Sequence, residues 1–166
     1  TGAHIPLGAV VMSAEVAAKL EHEMLYTGLT YCGHPLSCAA GVAAVEAYEA
    51  EGLIERSRRL GGDMFSALRS MQQRHAVMGD VRGGHGLFAV VEFVEDRATR
   101  APLAPWPQVP ALLRSVVRDG LVEGVSFAVR GNLLLIAPPL VIDERDLADA
   151  LALLDRLIAR HTPPVP

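Results

Sequence analysis

The chain contains 166 residues with a formal net charge of −4, and 51% of its residues are hydrophobic. This composition is typical of a globular protein with one sizeable domain or two small ones. Acidic and basic residues are mixed along the chain, which argues against a nucleic-acid-binding surface. The longest apolar run is too short to span a bilayer. Two cysteines are too few for a disulfide framework, and no leader sequence is recognised, so a cytoplasmic location is expected by default.

Before residue 34 the sequence predicts one strand and one helix. The apolar run from Pro6 to Met12 is led in by proline and glycine, which predicts a short buried strand. Ser13 suits a helix N-cap, and the helix is predicted over Ala14 to Glu23. Tyr26 to Gly33 is expected to be a loop or a strand end. We interpret this region as part of a larger structural unit.

Two long helices are predicted next. Pro35 suits a first helical turn because its missing N–H costs nothing there, and this helix is expected to run to about Glu51. Its many alanines would let it pack closely against a neighbour. Gly52 then interrupts the pattern, and an apolar face predicts a second helix from Leu53 to about Arg74. We expect the boundary between two structural regions near residue 75.

Beyond residue 75, glycine-punctuated strand patterns replace the helical spacing. The predicted order of elements is βββαββα, which is typical of a compact α+β unit. Two of the first three strands are placed in Val77–Gly83 and Gly86–Val94, and a Pro-rich loop follows over Asp96–Pro110. The later segments are a helix over Leu112–Asp119 closed by Gly120, two strand-like runs over Leu121–Val129 and Asn132–Ile142, and a last helix capped by Asp143.

Two motifs that superficially indicate ligand sites are set aside. Cys32, His34 and Cys38 are close in sequence, but zinc needs four ligands, or three and a water, and the remaining histidines are scattered. No metal is expected, and we interpret the cysteines as small buried residues. The RGGHG stretch from Arg82 to Gly86 is followed by a strand rather than a helix, so a turn is preferred over a phosphate loop.

The stretch GLTYCGHPLSCAAG, from Gly28 to Gly41, places a threonine hydroxyl shortly before a helix start. A hydroxyl together with neighbouring backbone N–H groups makes a good anion contact. From the chemistry of the residues alone, two interpretations stay open. Thr30 either contacts a phosphate or caps its own turn.

Several stretches together resemble the class III, or omega-type, aminotransferases. They are TGAHIPLGAVVMS at Thr1–Ser13, the Gly28–Gly41 stretch, GLFAVVEF at Gly86–Phe93 and LLLIAPPLVIDERDL at Leu133–Leu147. The resemblance implies an α/β fold-type I transferase that depends on pyridoxal 5'-phosphate and forms a homodimer. This chain would be its carboxyl-terminal part. Residues 1–75 would be the end of the large cofactor-binding domain with the interdomain helix, and residues 76–166 the small α+β domain.

The resemblance also implies roles for individual residues. Thr30, with the adjoining Leu29, matches the position that reaches the phosphate of the cofactor held by the partner subunit. Arg130 resembles the arginine that clamps a substrate carboxylate, a task that suits the bidentate guanidinium. In the family the Schiff-base lysine stands just before the segment that matches Thr1, so no catalytic residue is assigned here. Lys19 does not match that motif.

The implied reaction moves an amino group from an amine or amino acid to a 2-oxo acid such as pyruvate. One alternative is an aminomutase of the glutamate-semialdehyde type, which shares the fold and cofactor. The Gly-His-Pro at residues 33–35, where that group usually has Gly-Asn-Pro, favours the transferase. Another alternative is a non-catalytic fragment that folds and dimerises. Without the Schiff-base lysine, the isolated chain is expected to be inactive.

Overall fold

The computed structural model describes residues 4–162, and the chain divides after Gly52 into two compact units. The first unit contains helix α1 (Ala14–Leu20) and helix α2 (Pro35–Ala50). Ser13 caps α1 as predicted, because its hydroxyl accepts a hydrogen bond of 3.3 Å from the N–H of Val16. Gly52, with φ of +60°, ends the segment after α2 in the left-handed conformation that glycine favours.

The strand predicted over Pro6 to Met12 does not form between residues 4 and 52. Val10 and Val11 are 89% and 94% exposed, and no residue from 4 to 52 is buried. A strand needs a hydrogen-bonded neighbour and an apolar surface to pack on, and residues 4–52 supply neither. The prediction was therefore wrong for this segment, and Thr1 to Ala3 lie outside the described residues.

The second unit begins with α3 (Leu53–Arg74) and continues in the predicted βββαββα order. Its later elements are β1 (Met78–Gly83), β2 (Ala89–Asp96), β3 (Ala101–Pro102), α4 (Ala111–Val122), β4 (Ala128–Arg130), β5 (Leu133–Ile136) and α5 (Glu144–His161). The strands pair antiparallel in the order β1-β2-β5-β4, and β3 pairs with the end of β2. No helix in the described range 4–162 is long and apolar enough to cross a membrane.

One apolar face of the sheet packs under the helices. Ala89, Val91 and Phe93 alternate along β2, are fully buried, and point into the core, as the two-residue period of a strand requires. Two other strands and the segment before β2 add Met78, Val81, Leu87, Leu134 and Ile136 to the core. Helices α3, α4 and α5 contribute Leu60, Met64, Leu68, Met71, Leu112, Leu113, Val116, Leu147, Leu153, Leu154, Leu157 and Ile158. Because the apolar face of α3 belongs to this core, the units divide at Gly52, before the boundary that the sequence suggests near residue 75.

Helix α4 is longer than predicted, and β4 is correspondingly shorter. Gly120 was expected to end the helix, but α4 continues to Val122 and Gly120 is buried within it. A Cβ at Gly120 would lie 2.7 Å from the ring of Phe127. The glycine therefore allows close packing of an aromatic side chain, and strand β4 begins at Ala128, directly after Phe127.

Candidate functional site

Leu29 and Thr30 lie in the turn that leads into α2. The N–H of Cys32 donates to the carbonyl of Leu29 at 2.9 Å, and the N–H of His34 donates to the carbonyl of Tyr31 at 3.2 Å. Gly33 has a φ of +68°, which a glycine adopts without steric cost. These backbone constraints fix the turn on which the Thr30 hydroxyl is carried.

The start of α2 is suited to an anion. His34 is the N-cap residue but makes no side-chain cap hydrogen bond, and the first turn contains no acidic residue. The first N–H groups of a helix lack acceptors within the helix, and they carry the positive end of its dipole. Thr30 is exposed, and Leu29 is 80% exposed. Thr30 is thus an exposed residue of the turn that precedes an uncapped helix start.

His34 completes this turn. Its Nδ1 atom is buried and has no hydrogen-bond partner among residues 4–162, and its ring lies 5.4 Å from that of Tyr31. The two cysteines that flank it, Cys32 and Cys38, are both exposed. The expectation that they are buried was wrong, because no element of residues 4–52 covers them. In the described part of the chain, no group of three or more potential ligands is placed to hold a metal.

Arg130 ends strand β4 in the second unit and is exposed. Its guanidinium carbon lies 5.6 Å from the centre of the Trp106 ring, which is within the range of a cation–π contact. Sequence reasoning missed Trp106. The one signal available was a single tryptophan in a proline-rich loop, and nothing local pairs that loop with β4.

The two predicted positions belong to different units. Thr30 is in the unit that ends at Gly52, and Arg130 is in the unit that begins at Leu53. The structure therefore describes two separate candidate binding positions. Thr30 is held by the turn before α2, and Arg130 by the end of strand β4.

Two other titratable clusters act as structural links to α5. Burial of the Asp155 carboxylate acts to raise its pKa, but hydrogen bonds from His75 and Arg74, at 2.6 and 2.7 Å, outweigh it and leave the pKa below its usual value. The pKa of Asp119 is lowered by hydrogen bonds from Arg118 and His161. These pairs join α5 to the end of α3 and to α4. Neither cluster includes a predicted site residue.

Comparison with known proteins identifies the family. The model of the class III aminotransferases matches residues 1–158. The chain therefore belongs to the class III aminotransferase family, whose members depend on pyridoxal phosphate.

The similar proteins span several reactions. The chain is 33% identical over 154 residues to the 5-aminovalerate aminotransferase of Pseudomonas putida, covering 93% of this chain and 35% of the relative. It is 33% identical over 130 residues to the taurine–pyruvate aminotransferase of Bilophila wadsworthia, covering 76% of this chain and 28% of the relative. It is also 31% identical over 160 residues to the ethanolamine-phosphate phospho-lyase homolog 1 of Caenorhabditis elegans, covering 95% of this chain and 33% of the relative. The chain thus spans about a third of the length of these relatives.

Solved structures agree with the fold. The taurine:2-oxoglutarate aminotransferase of Bifidobacterium kashiwanohense, in complex with the cofactor and glutamate, matches with a TM-score of 0.83 and 32% identity over 95% of this chain and 35% of its own. An amine transaminase from an uncultivated Pseudomonas species, in the cofactor-bound form, matches with a TM-score of 0.85 and 30% identity. The match covers 96% of this chain and 36% of the transaminase. The chain accordingly has the fold of a segment of the fold-type I transaminases.

Proposed function

We propose that this chain is the carboxyl-terminal part of an aminotransferase that moves an amino group from an amine or amino acid to a 2-oxo acid such as pyruvate. The observation that carries the proposal is the exposed Thr30 in the turn that precedes the uncapped start of α2, in a chain of the class III family. The names of the similar aminotransferases, which act with pyruvate or 2-oxoglutarate, support a 2-oxo acid acceptor.

The donors at the start of α2 fit the phosphate of pyridoxal phosphate. When bound, this cofactor supplies an electron sink for the carbanion at the amine carbon. The Thr30 hydroxyl would donate to a phosphate oxygen, and the first N–H groups of α2 would add the favourable end of the helix dipole. The neighbouring Leu29 completes the cofactor-binding position. In the proposed homodimer, Thr30 reaches the cofactor held by the other subunit.

Arg130 is proposed to bind the carboxylate of the 2-oxo acid. Its exposed guanidinium has five N–H donors in a planar fork, which matches the two oxygens of a carboxylate. It would orient the acceptor rather than take part in proton transfer. Proton transfer belongs to the lysine expected ahead of Thr1, which lies outside this chain.

The proposed domain assignment follows from these roles. Residues 1–75 form the end of the large cofactor-binding domain and the connecting helix α3, and residues 76–166 form the small domain. Helix α3 contributes side chains to the core of the small domain. We propose a cytoplasmic enzyme.

The test is cofactor retention in the complete enzyme that contains this chain. Thr30→Val keeps the shape of the side chain and removes the hydroxyl. A hydrogen bond to a charged group contributes about 1.5–3 kcal/mol, so the dissociation constant of pyridoxal phosphate should rise about 10- to 150-fold. Thr27→Val makes the same change three positions earlier, at another exposed residue of the loop, and serves as the control. Equal dissociation constants for the two variants would contradict the role of Thr30.

The reaction type needs a separate assay, because the family also includes a relative named as a phospho-lyase homolog. The complete enzyme should form alanine from pyruvate at the expense of an amino donor. It should neither release phosphate from ethanolamine phosphate nor convert glutamate semialdehyde to 5-aminolevulinate. Phosphate release or intramolecular amino transfer without consumption of pyruvate would assign the chain to another reaction.

A further inference from the structure

We propose that Trp106 and Asn132 are positioning residues, which hold the guanidinium of Arg130 at the place where it receives the acceptor carboxylate. This inference rests on the proposed function of Arg130. It adds two residues that the motifs of the sequence do not indicate, and it makes acceptor recognition depend on a loop remote from Arg130 in the sequence.

The first observation is the contact between Arg130 and Trp106. The guanidinium carbon lies 5.6 Å from the ring centre, and the ring is 64% exposed, so Trp106 is not retained by burial in the core. A cation–π contact orients a guanidinium without occupying its N–H donors with a competing carboxylate. Trp106 can therefore restrict the rotamers of Arg130 while the donors stay available to a substrate.

The second observation is the clamp made by Asn132. Its side-chain oxygen accepts from the N–H of Ala104 at 3.0 Å, and its side-chain nitrogen donates to the carbonyl of Ala104 at 2.8 Å. Its backbone carbonyl accepts from the N–H of Phe93 at 2.9 Å. One residue thus ties the turn between β4 and β5 both to the Trp106 loop and to the central strand β2.

The loop is also held on either side of the tryptophan. Leu103 and Val109 pack against the hydrophobic core, and the N–H of Gln108 donates to the carbonyl of Pro105 at 2.9 Å, which closes the turn around Trp106. The exposed indole is consequently presented from a fixed backbone. Such a rigid support is what a substrate-binding side chain requires for precise placement.

The third observation is the fit at Gly131, which follows Arg130. Its φ is +56°, and a Cβ at this position would lie 2.8 Å from the Trp106 ring. The absence of a side chain allows the indole to lie directly against the turn. The ring is therefore in close contact with the backbone that carries Arg130 as well as with its guanidinium.

Steady-state kinetics of the complete enzyme test the proposal. Trp106→Leu should raise the Michaelis constant for pyruvate about 2- to 5-fold, the loss expected for an exposed cation–π contact. With an amine donor that has no carboxylate, kcat and the Michaelis constant of the donor should stay unchanged. Trp106→Phe keeps an aromatic face and should restore most of the affinity. Asn132→Ala should resemble Trp106→Leu, because it releases the loop that carries the indole.

Controls separate this inference from the proposed function. Phe65→Leu removes a comparable aromatic–arginine contact, in which Arg69 lies 5.1 Å from the ring, and should leave the Michaelis constant for pyruvate unchanged. Arg130→Met should raise that constant more than Trp106→Leu does, and adding Trp106→Leu to it should have no further effect. If Arg130→Met changes nothing, both the role of Arg130 and this inference fail. If Arg130→Met acts and Trp106→Leu does not, only the positioning role is overturned.

A spectroscopic measurement on the 166-residue chain gives a readout independent of activity. Protons of the Arg130 side chain that lie over the indole should resonate upfield because of its ring current. The upfield shift should disappear in Trp106→Leu and persist, reduced, in Trp106→Phe. Arg130 protons at ordinary chemical shifts in the unmodified chain would refute the contact.

Discussion

Gly61 and Gly62 are neighbours in α3, and alanine should have opposite effects at the two positions. Gly61 is buried against the loop that contains Gly86, whereas a Cβ on Gly62 would meet nothing within 4 Å. Both residues are helical, so alanine brings the same gain in helix propensity at each site, about 1 kcal/mol. The difference between the two variants therefore isolates the packing of α3 on the Gly86 loop.

The size of the effect follows from the distances. A Cβ on Gly61 would lie 2.2 Å from the carbonyl oxygen of Gly86 and 2.3 Å from its carbonyl carbon. Carbon atoms normally approach to about 3.5–4.0 Å, so helix and loop would have to separate by about 1 Å or more. Overpacking of a core costs about 1–3 kcal/mol, and the upper end applies here because backbone cannot rotate away as a side chain can. Gly61→Ala should be about 2 kcal/mol less stable than the unmodified chain, and Gly62→Ala about 1 kcal/mol more stable.

Urea denaturation measures both variants. Trp106 is the single tryptophan of the chain and lies in the second unit, so its fluorescence reports on the unit that contains α3. The midpoint should fall for Gly61→Ala and rise for Gly62→Ala, with the slope of the transition unchanged. A Gly61→Ala variant as stable as Gly62→Ala would refute the close approach of α3 to Gly86.

The remaining predictions concern the core and one of the links to α5. Phe93→Ala, at a fully buried position in β2, should cost about 3–5 kcal/mol in urea denaturation, whereas Phe88→Ala, at a residue 54% exposed, should cost less than about 1 kcal/mol. Asp155→Asn should lower the stability at pH 7. The pKa of Asp155 is lower in the folded chain than in the unfolded chain, so the ionised carboxylate stabilises the fold above the unfolded pKa, about 3.9. This stabilisation is lost as the pH falls through the folded pKa. The stability difference between Asp155→Asn and the unmodified chain should therefore shrink towards pH 2, and a difference independent of pH would contradict this assignment.

The elements that could be predicted from the sequence are those whose signals are local. The apolar face of α3 and the N-cap at Asp143 are each visible within a short stretch of sequence. The prediction of α3 from Leu53 to Arg74 is confirmed. The strand predicted over Pro6–Met12 failed because an apolar run becomes a strand only beside a partner, and residues 4–52 contain none. Gly120 was misread because a glycine that ends a helix and one that admits a ring look alike in sequence.

In the candidate site, too, local features could be predicted from the sequence and contacts between distant segments could not. The turn before α2 is a local feature, set by Gly33 and Pro35, so the position of Thr30 could be predicted. The framework around Arg130 depends on contacts between distant segments, namely the Trp106 ring and the paired hydrogen bonds of Asn132 with Ala104. No periodicity or motif encodes such pairings, so they emerge only from the folded structure.

The central claim is that the Thr30 hydroxyl binds the phosphate of the cofactor held by the other subunit. An experimental structure of the complete enzyme with pyridoxal phosphate tests it directly, through the distance from the Thr30 Oγ1 atom to the nearest phosphate oxygen. We expect about 2.5–3.0 Å, to the cofactor of the opposite subunit. A Thr30 side chain outside hydrogen-bond reach of any phosphate oxygen, or a cofactor phosphate bound entirely by its own subunit, would contradict the account.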